Sequence, residues 1–147
     1  MTELTSAASV RRARPDDGPA VWELVTKFAV SYIPDRTRFD AAFARVTQHD
    51  DMLAATAIDG ERFIGYLLAN RHPTFFANGP VVWVEEVMVE EGQRGRGAGR
   101  ELMRFAEAWA EESGAAYIAL ATRRAAGFYT ALGYAESAAF FRKKMSG

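Results

Sequence analysis

Four glycines fall between positions 92 and 99, three of them in the run Gln93-Arg94-Gly95-Arg96-Gly97-Ala98-Gly99. An apolar stretch, Val81 to Val89, precedes the run, and a segment of strong helical periodicity, Arg100 to Glu112, follows it. A strand, a glycine-rich turn and a helix N-terminus in that order form an anion cradle. The first helical N–H groups lack intrahelical partners, and the helix dipole adds partial positive charge at the same end. Glycine admits a phosphate close to the backbone because no Cβ stands in the way. Arg94, Arg96 and Arg100 bring positive side chains to the same place. The sequence predicts a bound phosphate group here.

Rival readings of the turn fail on particular residues. A P-loop needs Gly-Lys-Ser/Thr, and the chain has Gly99-Arg100-Glu101. A Rossmann fingerprint needs Gly-x-Gly-x-x-Gly, and Arg100 stands where its third glycine belongs. A nucleic-acid surface needs a wide excess of positive charge, yet eighteen basic residues face nineteen acidic ones, for a formal charge of −1. A purely structural turn needs one or two glycines. A pyrophosphate site is the reading left.

At 147 residues and 49% hydrophobic, the chain can bury a sizeable core, and one domain over residues 1–147 is expected, with residues 1–8 as a loose end. The absence of cysteine excludes disulfides, thiolate catalysis and thiolate metal sites. His49 and His72 are too few and too isolated for a metal site, so no metal is expected. The first nine residues lack the apolar core of a signal peptide. No apolar run approaches the ~20 residues that span a bilayer. The expectation is a cytoplasmic protein with neither a membrane nor a nucleic acid as partner.

Periodicity sets the order of elements. Ser9 to Arg14 reads as a short strand ended by Pro15-Asp16-Asp17, with Asp16 or Asp17 capping a helix whose apolar face holds Val21, Leu24, Val25 and Phe28. A second helix runs from Arg36 to about Thr47, with Phe39, Ala42, Phe43 and Val46 on one side. Asp59-Gly60 between the apolar runs Met52–Ile58 and Phe63–Asn70 signals a hairpin with a type I′ turn, whose two central residues both need positive φ. Arg71 to Pro80 reads as a loop, and Val81 to Glu90 as the next strand. The helix after the glycine turn sets Leu102, Phe105, Ala106 and Trp109 on one face and ends near Ser113-Gly114. Tyr117 to Thr122 reads as a strand, Arg124 to Leu132 as a short helix stopped by Gly133, and Tyr134 to Lys144 as a terminal hairpin or bent strand. The fold class is α+β, a mixed and mostly antiparallel sheet flanked by about four helices.

This order, with the glycine turn after the fourth strand, resembles the GNAT superfamily of acyl-CoA-dependent N-acetyltransferases over about Val10 to Met145. Arg94-Gly95-Arg96-Gly97-Ala98-Gly99 satisfies the family signature Gln/Arg-x-x-Gly-x-Gly/Ala. Phe128-Tyr129, followed by Gly133-Tyr134, matches the family's Phe-Tyr pair on its late helix. Many relatives carry a cofactor-contacting Asn six residues before that Phe; Thr122 stands there, and its hydroxyl can still form a hydrogen bond. Within the superfamily, Val84-Glu85-Glu86-Val87-Met88-Val89 looks like the strand of diamine-type acetyltransferases, which have an acidic pair in the same places and act on polyamines.

The resemblance implies acetyl-CoA as acyl donor, its pyrophosphate held by N–H groups across Arg94, Gly95, Arg96, Gly97, Ala98, Gly99 and Arg100, and its pantetheine paired with the backbone of Val87, Met88 and Val89. Pantetheine carries two amides that need partners once buried. Glu85 and Glu86 are anomalous on their own terms. Adjacent strand residues point to opposite faces, a covered sheet buries both, and an unpaired buried carboxylate is costly. At least one of them therefore meets a polar cavity, a bulge or a basic partner. An attacking amine has a pKa of ~10 and must lose a proton, which either carboxylate can take. The alternative for each is a salt bridge to an arginine. Glu90 and Glu91 read as a solvated turn. The resemblance places a general acid at Tyr129, for the departing thiolate, while Phe128 reads as packing. Tyr32, Phe75 and Phe76 lie in segments that flank the family's acceptor pocket; helix packing and loop anchoring are their alternatives. The expected activity is N-acetylation of a small-molecule primary amine by direct attack in a ternary complex, with a homodimer common among such proteins. The rivals are an acyl-CoA-binding module without turnover, an enzyme acting on a protein or peptide amine, and a nucleotide-binding regulatory domain.

Overall fold

Among the described residues five strands form one sheet in the order β1-β2-β3-β4-β5: β1 (Ser9–Arg12), β2 (Met52–Asp59), β3 (Arg62–His72), β4 (Val81–Val89) and β5 (Tyr117–Leu120). The computed structural model describes residues 8–146, so most of the expected loose N-terminus lies outside the described residues. Neighbouring strands are antiparallel except β4 and β5, which run parallel. Two parallel strands need a crossover, and α3 (Ala98–Glu112) provides it. The helices α1 (Gly18–Phe28) and α2 (Arg36–Gln48) link β1 to β2, and α4 (Ala126–Ala131) follows β5.

Each face of the sheet has its own core. Leu102, Met103, Ala106 and Trp109 of α3 pack on Leu53 of β2, Leu67 of β3 and Val82 and Val84 of β4. On the other face Val21 and Leu24 of α1 and Phe43 of α2 surround Tyr66 of β3. Asp35 starts α2 by accepting a hydrogen bond from the Arg38 N–H at 2.9 Å. Gly114, at φ 70°, ends the α3 segment as the sequence predicts.

Several expectations are corrected. Asp17 does not cap α1 with its side chain; its carboxylate is gripped by the Arg11 guanidinium at 2.7 and 3.1 Å and by the Arg14 N–H at 2.7 Å. Asp59 pairs with Arg62, so the turn residues are Gly60 and Glu61, and only Gly60 has positive φ. That is the pattern of a type II′ turn rather than I′. β3 extends to His72, shortening the expected loop. Residues 134–146 form no strand. Ala135, Ser137, Ala138 and Ala139 have weak β propensity. The segment is instead held by single side chains. The Tyr134 hydroxyl donates to Glu107 at 2.6 Å, Phe140 stacks on Trp83 of β4, and Lys144 lies over the Tyr32 ring. Glu90 is not a solvated turn residue. It is 9% exposed, takes a 2.6 Å hydrogen bond from Lys27 of α1, and pairs with Arg62 of β3.

One irregularity in β4 sets the site. Leu68 pairs with Glu86 and Ala69 with Val84, which leaves Glu85 as an extra, unpaired residue. This β-bulge shifts the alternation of the strand by one. Val82 and Val84 face α3 before it, and Val87 and Val89 face α3 after it, while Met88 joins the α1/α2 core. Without the bulge Glu86 would point into the apolar α3 core.

Candidate active site

A short 3-10 turn, Glu91–Gln93, leads from β4 into the glycine run. Gly95 at φ 82° and Gly97 at φ 89° adopt the left-handed backbone that L side chains resist. Gly97 stands at the N-cap of α3, and the first bond of the helix runs from the Glu101 N–H to its carbonyl at 3.0 Å. With no capping side chain, the N–H groups of residues 95–100 meet no acceptor among the described residues. Six donors in one turn make an anion site. Arg100 is exposed and has no ion pair among the described residues, Arg96 contacts Gln93, and Arg94 turns back to donate to the Val89 carbonyl at 3.2 Å. Gly99 has a packing role as well. A Cβ there would lie 3.2 Å from Phe128 of α4.

Beside the cradle runs an open strand edge. β5 pairs with β4 over Val81–Val84, so among the described residues β4 has no strand neighbour on that side from Glu85 to Val89. The Glu90 N–H donates to Ile64, and alternation along an antiparallel ladder turns Met88 toward β3 in the same way. The backbone groups on the open edge are therefore those of Val87 and Val89. Met88, expected with them, contributes its side chain to the α1/α2 core instead.

The bulge sits where β4 and β5 part. Glu85 is exposed and Glu86 half-buried. Glu86 accepts a 2.7 Å hydrogen bond from the hydroxyl of Tyr66, a residue that sequence reasoning passed over. Burial and the nearby Glu86 charge push the Tyr66 phenol well above its usual range. Neither glutamate is in a salt bridge among the described residues. Of the choices left by the sequence, the bulge is the one realised.

Tyr129 of α4 lies on the other face, packed against the α3 core and edge-on to Phe128 and Tyr134. Its hydroxyl has no hydrogen bond among the described residues, and burial raises its pKa. It therefore stays protonated at neutral pH and can act as a donor. Thr122 accepts from the Ala125 N–H at 3.0 Å and so shapes the turn into α4, with its own hydroxyl proton left to donate. Glu86 and Tyr129 thus flank β4 from opposite faces rather than touching. Phe75 and Phe76 are fully exposed, so loop anchoring does not account for them, and Tyr32 is exposed with Lys144 over its ring rather than packed on a helix. The His49 ring accepts from the Asp51 N–H, and the His72 ring lies 3.3 Å from Asn70 Oδ1.

The model of the acetyltransferase (GNAT) family matches residues 19–134, which include the cradle, the bulge and the Phe-Tyr pair. The chain belongs to the GNAT acetyltransferase family. No curated protein matches this GNAT chain by sequence. Solved structures give the same fold. Glucosamine-6-phosphate N-acetyltransferase from Arabidopsis thaliana is similar at 18% identity and a TM-score of 0.83, over 96% of this chain and 100% of that one. The aminoglycoside N-acetyltransferase AAC(6')-Iy in complex with CoA is similar at 21% identity and a TM-score of 0.82, over 99% of this chain and 100% of that one. A transcriptional regulator from Bacillus halodurans C-125 is similar at 21% identity and a TM-score of 0.82, over 94% of this chain and 99% of that one. Among the described residues no helix of this GNAT domain is long and apolar enough to cross a membrane.

Proposed function

We propose that the chain transfers an acetyl group from acetyl-CoA to a primary amine of a small molecule, by direct attack in a ternary complex. The observation that carries this reading is the row of N–H groups at residues 95–100, unpaired among the described residues, beside an open β4 edge. The residues fit such a donor. The cradle suits a pyrophosphate, with Arg100 as an added cation, and the Val87 and Val89 edge suits the amides of pantetheine. Arg94 already donates to the Val89 carbonyl, which leaves the Val87 carbonyl and the N–H groups of both valines to pair with those amides. Acetyl-CoA supplies an acyl group activated as a thioester.

The protein's own groups serve the two proton transfers. Glu86, or Glu85 beside it, takes a proton from the ammonium and attracts the cation electrostatically. Free N–H groups on the open edge polarise the thioester carbonyl. As the amine nitrogen bonds to the carbonyl carbon and the carbon–sulfur bond breaks, Tyr129 gives its proton to the sulfur, while the now cationic nitrogen sheds its second proton to solvent, from which Tyr129 is reprotonated. With no cysteine in the chain, the acetyl group has no thiol of the protein to pass through. We read the whole chain as one catalytic domain with a small amine as acceptor, and neighbours in fold named for an aminoglycoside and for glucosamine-6-phosphate are in keeping with that.

The test is release of coenzyme A across a panel of polyamines, aminoglycosides, amino acids and peptides. Turnover with at least one small amine supports the proposal. Acetyl-CoA binding without turnover of any amine replaces the enzyme with a binding module, and turnover confined to peptides replaces the acceptor.

A further inference from the structure

We propose that Tyr66 is a positioning residue for Glu86, its hydroxyl fixing one carboxylate oxygen so that the other is presented to the acceptor amine. The inference rests on the reading of Glu86 as the proton acceptor. Glu86 follows directly on the bulge, where Glu85 has no partner across the ladder. Ladder neighbours that normally restrict a strand side chain are disturbed at such a point, and the carboxylate needs an anchor from elsewhere. Tyr66 supplies one. It lies opposite Met88 on β3, one diagonal step from Glu86, and reaches Glu86 Oε1 at 2.7 Å. Tyr66 is 6% exposed and sits in the core with Val21, Leu24 and Phe43, so the hydroxyl has little freedom to move.

The direction of the bond follows from the chemistry. A buried phenol needs a partner, and a carboxylate only accepts, so Tyr66 is the donor. The other oxygen, Oε2, meets no partner among the described residues. A carboxylate held by one oxygen and open at the other is set for a single proton transfer in a fixed direction.

The test is a cycle of Tyr66→Phe, Glu86→Gln and the double variant, assayed by coenzyme A release with the amine of the panel that wild type turns over fastest. Tyr66→Phe keeps the buried ring, and a thermal melt within a few degrees of wild type checks the fold. The single variant should lose roughly tenfold in kcat, the scale of one charge-assisted hydrogen bond, with acetyl-CoA affinity within about twofold of wild type. In the Glu86→Gln background the same change should cost nothing further, because the positioned group is gone. Wild-type kcat in Tyr66→Phe, with Glu86→Gln impaired, overturns the positioning role alone, as does a full additive loss in the double variant. Undiminished kcat in Glu86→Gln, or a wild type that turns over no amine, overturns the reading of Glu86 and this inference with it.

Discussion

Two glycines show how differently one missing side chain can be used. Gly97 stands in open space with its left-handed backbone at the mouth of the cradle. Gly97→Glu should cost only ~1–2 kcal/mol in backbone strain. It would also place a carboxylate where a pyrophosphate belongs, and coenzyme A affinity should drop ~100-fold or more. Calorimetry with coenzyme A checks it, and unchanged affinity would remove the cradle assignment. Gly65 is the reverse case. A Cβ there would stand 2.7 Å from the Met88 carbonyl, in a fully packed sheet. Gly65→Ala should lower unfolding stability by ~1–3 kcal/mol, read from a denaturant titration. The first role was legible in the sequence because the motif and its neighbours are contiguous. The second was not, because the crowding atom belongs to another strand. Tyr66 escaped notice for the same reason: nothing in Gly65-Tyr66-Leu67 reveals a carboxylate twenty residues later.

At the scale of elements, the long periodic segments were legible and the short or interrupted ones less so. The α3 face and the β2–β3 hairpin follow from spacing alone. The bulge depends on how β4 lies against β3, and the acidic pair signals only that something unusual must happen there. Glu90 was misread because two of its partners, Lys27 and Arg62, lie on α1 and β3. That clasp ties α1 to the end of β4, and it carries a pH dependence. The Lys27 hydrogen bond, with help from Arg62, holds the Glu90 carboxyl below its usual range. A carboxyl that releases its proton more readily when folded stabilises the fold fully above the unfolded pKa of ~4.3, and that contribution fades as pH falls through the folded value. Wild type should therefore exceed Glu90→Gln in stability by a constant margin from roughly pH 8 to roughly pH 5, and the margin should close in more acid solution. Denaturant titrations at several pH values measure it. A margin that widens in acid would contradict the clasp.

For the molecule as a whole, the arrangement is two-sided. The cradle and Tyr129 belong with α3 and α4, while Glu86 and the α1/α2 core lie across β4. A donor on the first side and an acceptor on the second can be held together, and the sheet edge between them is where they would meet. Initial velocities with both substrates varied should give intersecting double-reciprocal lines, since both must be present before either product leaves. Parallel lines would imply a covalent acetyl-protein stage and refute direct transfer.

The extra residue at Glu85 also bears on the length of β4. Deleting Glu85 or Glu86 would remove the extra residue and restore a regular pleat, and everything downstream would keep its present face. Val87 and Val89 would stay on the α3 side and Met88 on the other, with a single acidic residue left between Val84 and Val87. The bulge thus gives the strand one residue of slack, and a deletion at the acidic pair keeps inside and outside in place at the cost of one carboxylate.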